Sequence, residues 1–126
     1  MIEGYNCLDT YVTTSSAEGW GLTVTEAMAV GLPIVAPMHT SIKEITDNGD
    51  ACYPITCMYD HVQIADYENV RHIPDTNDTM MSMIMAYADV QMEEYPHKAA
   101  YLDLLELYDW DRIAEQWKLV FDNLKD

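Results

Sequence analysis

Along residues 10–57 the apolar positions come in short bursts, separated by glycine, proline and polar turns. Residues 10–14, Thr-Tyr-Val-Thr-Thr, are β-branched and aromatic, the composition of a strand. Residues 23–30, TVTEAMAV, suit a short helix, with Thr23 as N-cap and Glu26 three residues on at capping-box spacing. Gly31 and Pro33 then form a stop signal. Ile34-Val35-Ala36 predicts a buried strand, Ser41 caps a second short helix, IKEIT, that ends at Asn48-Gly49, and residues 51–55 predict a third strand. Strand, helix, strand, helix, strand is the βαβ alternation, which implies a parallel sheet with right-handed crossovers.

The texture changes towards the C-terminus. Residues 58–75 read as loop, with at most a short strand or turn, and residues 76–126 read as helical throughout. One helix starts near Asn77 or Asp78. A second follows Pro96, with Tyr101, Leu104, Leu105 and Tyr108 on one face. A third begins after Asp109, a good N-cap, and carries Ile113, Trp117, Val120 and Leu124 at helical spacing. These stripes are expected to be core, and the methionines gathered here to be adaptable packing. The expected class is therefore α/β in a single domain, 1–126, with a βαβαβ core over 1–57 and a helical part over 76–126.

Composition narrows the function classes. The chain has 126 residues, 49% of them hydrophobic and 22% charged, which excludes wholesale disorder. Six Lys and Arg face 22 Asp and Glu, a net charge of −16. Residues 1–63 hold one basic side chain against eight acidic, so no half of the chain is basic. Nucleic acid and anionic lipid surfaces would be repelled at long range, so no nucleic-acid partner is expected. Cys7, Cys52 and Cys57 form no CxxC pair and match neither a disulfide framework nor a zinc site. The N-terminus lacks the basic and apolar regions of a signal peptide, and the richest apolar stretch, residues 80–88, is too short to span a membrane. A cytoplasmic protein is expected.

The chemistry concentrates in residues 15–29, SSAEGWGLTVTEAMA. A strand ends near Thr14, a loop holding Gly19 and Gly21 follows, and a helix starts at about Leu22. In an open parallel sheet, ligands bind beyond the carboxyl ends of the strands. Glycines there admit a ligand close to the backbone, and the free N–H groups of the helix start favour a phosphate. Glu18 and Glu26 would face the same cleft. Carboxylates make poor phosphate ligands and good acceptors for sugar hydroxyls, so a diphosphate carrying sugar rings would use every feature. A purely structural account, in which the glycines shape a tight turn and Glu26 caps the helix, fits the spacing alone better.

The segment EGWGLTVTEAMAVGLPIVAP, with Glu18-x7-Glu26, resembles the E-x7-E segment of retaining glycosyltransferases of the GT-B fold, the large group 1 set, family 4. Tyr5-Asn6-x-x-Asp9 resembles the end of the helix before that strand. Residues 37–45, with Ser41 and Glu44, resemble the segment after the next strand, with Thr40-Ser41 standing where many relatives have Gly-Gly. Residues 108–117 resemble the WD-x-I-A-x-x-W start of the family's C-terminal helix. The resemblance implies part of a Rossmann-like donor-binding domain, a three-layer parallel sheet with C-terminal helices. It implies that Glu26 hydrogen-bonds the ribose of a UDP- or GDP-sugar, that Glu18 contacts hydroxyls of the transferred hexose and is the catalytic residue, and that the backbone around Gly19, Trp20, Gly21, Leu22 and Thr23 holds the diphosphate. It implies transfer to a glycan, lipid or protein acceptor with retention, with no cofactor beyond the donor and little need for a metal.

The family's diphosphate-neutralising Arg/Lys pair lies upstream of the E-x7-E segment, and here nothing basic precedes Lys43. The acceptor-side domain has no counterpart either. The expectation is a chain with negligible transferase activity alone, which works with a missing N-terminal half or a partner chain and tends to self-associate through its open sheet edge. A non-catalytic nucleotide-sugar-binding or interaction module on the same scaffold is the second reading, and an unrelated α/β protein the third. His39, His61, His72 and His97 show no metal spacing and read as surface or loop histidines, with His39 nearest the presumed site. Ser15 and Ser16 lack a nucleophile elbow. Trp20 either lines the sugar pocket or packs the turn.

Overall fold

The apolar run after Pro33 becomes the centre of the sheet. In a computed structural model, which describes residues 2–65, 67–93 and 95–124, the elements run α1 (Ile2–Tyr5), β1 (Tyr11–Val12), α2 (Leu22–Ala29), β2 (Ile34–Pro37), α3 (Thr40–Ile45), a 3-10 turn (Asp47–Gly49) and β3 (Tyr53–Ile55). They continue with β4 (Cys57–Ala65), β5 (Tyr67–Pro74), α4 (Thr76–Gln91), α5 (Lys98–Leu107) and α6 (Trp110–Asn123). The strands β1, β2 and β3 lie in that order and are parallel, with Tyr11 beside Ile34 and Val35 beside Tyr53. The α/β class and the parallel sheet are as expected.

Successive strand residues point to opposite faces, and here both faces are covered. Ile34 and Ala36 join Val24, Ala27 and Met28 of α2, Ile42 and Ile45 of α3 and Tyr101 of α5 in one buried cluster. Val35, Tyr53 and Ile55 pack on Ala86 of α4 across the other face. That is a three-layer arrangement with β2 at its middle. Polar anchors tie α4 down: Ser82 Oγ donates to the Pro54 carbonyl at 2.7 Å, and Tyr53 Oη donates to Asp89 Oδ2 at 2.7 Å.

Three expectations need correction. Residues 58–75 are no loop: β4 and β5 form an antiparallel hairpin with a register shift between Cys57 and Tyr59. No Asn-Gly or Asp-Gly pair marks the reversal, and polar residues dilute the alternation that would announce the strands. Secondly, the stripe of α6 is not core, since the helix has no buried residue. Thirdly, Met80, Met81, Met83, Met85 and Met92 are exposed rather than packed. Of α4, Ser82 and Ala86 are the residues buried against the sheet. The cap at Asp109 is as expected, accepting from the amides of Asp111 and Arg112.

Candidate functional site

The loop of residues 13–21 leaves the carboxyl end of β1 and delivers the chain to α2. Its last residue, Gly21, has φ 92° and ψ 48°, the left-handed region that favours glycine. A Cβ there would also sit 3.1 Å from Ile45 Cδ1, so that the Ile45 side chain would have to give by a few tenths of an ångström. Gly19 is different, with open space where its Cβ would be.

Gly21, and not Thr23, is the N-cap of α2, and it makes no side-chain cap bond. The capping box does not form, because a Ser/Thr cap needs extended backbone just outside the helix and Thr23 lies inside it. Thr23 Oγ1 instead accepts from Tyr11 Oη at 2.7 Å. Glu26 turns to the same side, where its Oε2 accepts from Tyr5 Oη at 2.9 Å. Burial, then the hydrogen bond to Glu26, pushes the Tyr5 phenol up to about 12. Tyr5 and Tyr11 thus form a small aromatic wall, their rings 6.1 Å apart, beside the first turns of α2.

Among the described residues, the amides of residues 19–23 have no acceptor of their own, and from Gly21 onward that is the usual state of a helix start. The Gly21 carbonyl accepts from Val24 and Thr25 instead. Glu18 is held through its backbone. Its amide donates to Thr40 Oγ1 at 3.4 Å and its carbonyl accepts from Ser41 Oγ at 3.3 Å. Ser41 is therefore no cap for α3. That position belongs to His39, whose side chain makes no cap bond. Thr40 has φ 43°, a left-handed conformation that glycine adopts more easily.

His39 is not a surface histidine: it is 3% exposed. Its Nε2 meets the Ser15 carbonyl at 2.6 Å and its Nδ1 meets Thr40 Oγ1 at 3.0 Å. Its ring stacks on that of His72 in β5, 5.0 Å away and nearly parallel. The amide of His72 also donates to the Ser16 carbonyl, so the hairpin braces the loop. Sequence reading missed this cluster because Ser15, His39 and His72 are 24 or more positions apart. The only local signal was that His39 follows the end of β2. His97 is likewise engaged, with Nδ1 2.8 Å from the Asp50 carbonyl and its ring edge-on to Tyr53. His61 lies in β4, its side chain outside the described residues.

Trp20 turns towards the C-terminal helices. Its ring stands edge-on to Tyr108 at 5.1 Å. Together with Leu22, Met28, Leu105, Ile113 and Trp117 it lines a largely apolar cavity of about 520 Å³. The site therefore has two sides. Glu18, Thr40 and Ser41 make the polar side, and Trp20 and Leu22 open towards the apolar one. Among the described residues no group of three His, Cys, Asp or Glu side chains is placed to hold a metal, and no helix is long and apolar enough to cross a membrane.

A family model described as glycosyl transferases group 1 matches residues 1–74, which take in β1, α2, β2, α3, β3 and the hairpin. No curated protein matches the chain.

Proposed function

The chain belongs to the glycosyl transferases group 1 family, and from that premise we propose that it is the donor-binding part of a cytoplasmic, retaining GT-B transferase that uses a UDP- or GDP-sugar. The observation that carries this reading is the family match across the loop between β1 and α2, where unpaired amides stand at a helix start beside two carboxylates.

Each group has a task that follows from its chemistry. The amides of Trp20, Gly21, Leu22 and Thr23 take the diphosphate, where the positive end of α2 favours the charge that grows on it as the sugar leaves. Glu26 has one oxygen on Tyr5, which fixes its rotamer and leaves Oε1 to accept a ribose hydroxyl. Glu18, its backbone pinned by Thr40 and Ser41, accepts from hydroxyls of the hexose and is the residue nearest the reacting carbon. No cofactor is needed beyond the donor. The sugar passes to a glycan, lipid or protein acceptor with its anomeric configuration kept.

The same reading makes the chain inactive alone. Nothing basic precedes Lys43 to neutralise a diphosphate, and the net charge of −16 opposes one. The exposed apolar faces of α4 and α6 support the presence of a second half or partner chain that covers them. They also favour the alternative, an interaction module that has kept the scaffold.

An NMR titration of the chain with UDP, GDP, UDP-glucose and GDP-mannose, beside Glu26→Ala, tests the proposal. Amide shifts confined to residues 18–26 and lost in Glu26→Ala are expected, with no turnover of either donor. Silence at millimolar ligand in a folded sample would overturn the donor-binding reading in favour of the interaction module.

A further inference from the structure

His39 lies behind Glu18, and its role here rests on the reading of Glu18 as the group that meets the donor sugar. A buried imidazole with two short polar contacts has its tautomer fixed by them. The Ser15 carbonyl only accepts, so Nε2 carries the proton. Nδ1 is then bare and accepts the hydroxyl proton of Thr40. That orients Thr40 Oγ1 so that a lone pair faces the amide of Glu18. The relay runs from the Ser15 carbonyl through His39 and Thr40 to Glu18, and Ser41 closes it on the Glu18 carbonyl.

The relay works in one protonation state. A second proton would go on Nδ1, turn that acceptor into a donor, and force the Thr40 hydroxyl away. Among the described residues, the titratable groups that act on the ring are His72 of β5, which opposes the charge, and Glu18 of the loop, which favours it. Burial is the largest influence, and it holds the ring below the ordinary histidine range.

We propose that His39 is a positioning residue for Glu18: neutral, with its proton on Nε2, it sets Thr40 and thereby the backbone of Glu18, and taking up a proton on Nδ1 releases that loop and weakens the hold on the donor sugar. His39 touches no substrate. Its effect falls on the sugar and spares the nucleotide, because Glu26 is fixed separately by Tyr5.

The test follows the ligand-free chain by NMR from pH 5 to 8, then its binding of UDP and UDP-glucose over the same range. The Glu18 and Thr40 amides are expected to move with the midpoint of the His39 ring. UDP-glucose, whose diphosphate does not titrate in this range, is expected to lose about three- to tenfold in affinity as the ring protonates, the size of one hydrogen bond, while UDP, whose terminal phosphate titrates at about pH 6, is expected to show the same pH dependence in the unsubstituted chain as in His39→Gln. His39→Gln keeps an N–H for the Ser15 carbonyl and cannot titrate, so both responses are expected to flatten. Should that variant not fold, Thr40→Ala cuts the relay at an exposed residue: the His39 ring should still titrate and the Glu18 amide should no longer follow. A Glu18 amide that ignores the His39 midpoint in the unsubstituted chain, or follows it unchanged in Thr40→Ala, would overturn the proposal. Amides that titrate together in a chain that binds neither ligand would uphold the relay and sink the donor reading instead.

Discussion

All four residues of β2 are buried, and none of the fourteen residues of α6 is. Both segments are patterned for burial. β2 is flanked by strands on both sides and by helices on both faces, so every residue finds cover. α6 meets the body through its first half, where Ile113 and Trp117 line the cavity beside Trp20, yet Trp117 stays 57% and Leu124 75% exposed. Periodicity tells which side of a helix is apolar. It does not tell what lies against it, and an isolated helix of this length is marginal in water.

The largest expected effect separates these regions by stability. Ile42→Ala removes a fully buried side chain between α3 and the sheet and should cost about 2–5 kcal/mol in urea unfolding. Trp117→Ala removes a larger side chain that is 57% exposed and stacks on the ring of Phe121, and should cost about 1 kcal/mol or less. Equal costs would mean that α6 is covered in solution, and that the contrast between the regions is false.

The elements that were legible are those fixed by neighbours in sequence. The Ile34-Val35-Ala36 run made β2, Gly31 ended α2 with a left-handed φ of 83°, and Asp109 capped α6 through amides two and three residues on. What was misread depended on distant partners. Thr23 lost its cap role once Gly21 took the left-handed turn and Tyr11 claimed its hydroxyl. Ser41 was drawn to Glu18, and His39 was buried by His72 of a hairpin whose turn carries no sequence signal. Of the candidate site, residues 18–26 stood out because their glycines and carboxylates are contiguous. The bracing behind them did not, because it is assembled from three separate elements.

A middle-sized effect sharpens the comparison within the loop itself. Gly21→Ala places a side chain on left-handed backbone and against Ile45, and should cost about 1–2 kcal/mol from the backbone alone. Gly19→Ala meets open space and should change stability by about 0.5 kcal/mol or less. If Gly19→Ala keeps the fold and still loses the UDP-induced amide shifts, Gly19 serves close approach of the ligand while Gly21 serves packing. A full response to UDP in Gly19→Ala would mean that neither glycine is there for the ligand.

The smallest perturbation is chemical. Cys52 is a fully buried member of the main cluster, and burial pushes its thiol up to about 12, with the Thr46 hydroxyl opposing the rise and Asp50 adding to it. Cys7 is exposed near the end of α1. At neutral pH a thiol reagent should label Cys7 promptly and Cys52 only as fast as the core opens. The folded state holds Cys52 neutral, so its share of stability is complete below the ordinary thiol pKa of 9.0 and is lost as the pH climbs towards 12. Labelling of Cys52 at the pace of Cys7, in a chain that still resists urea, would mean that the segment leading into β3 opens locally. The boundary between covered and uncovered regions would then run through the sheet, and not between the sheet and α6.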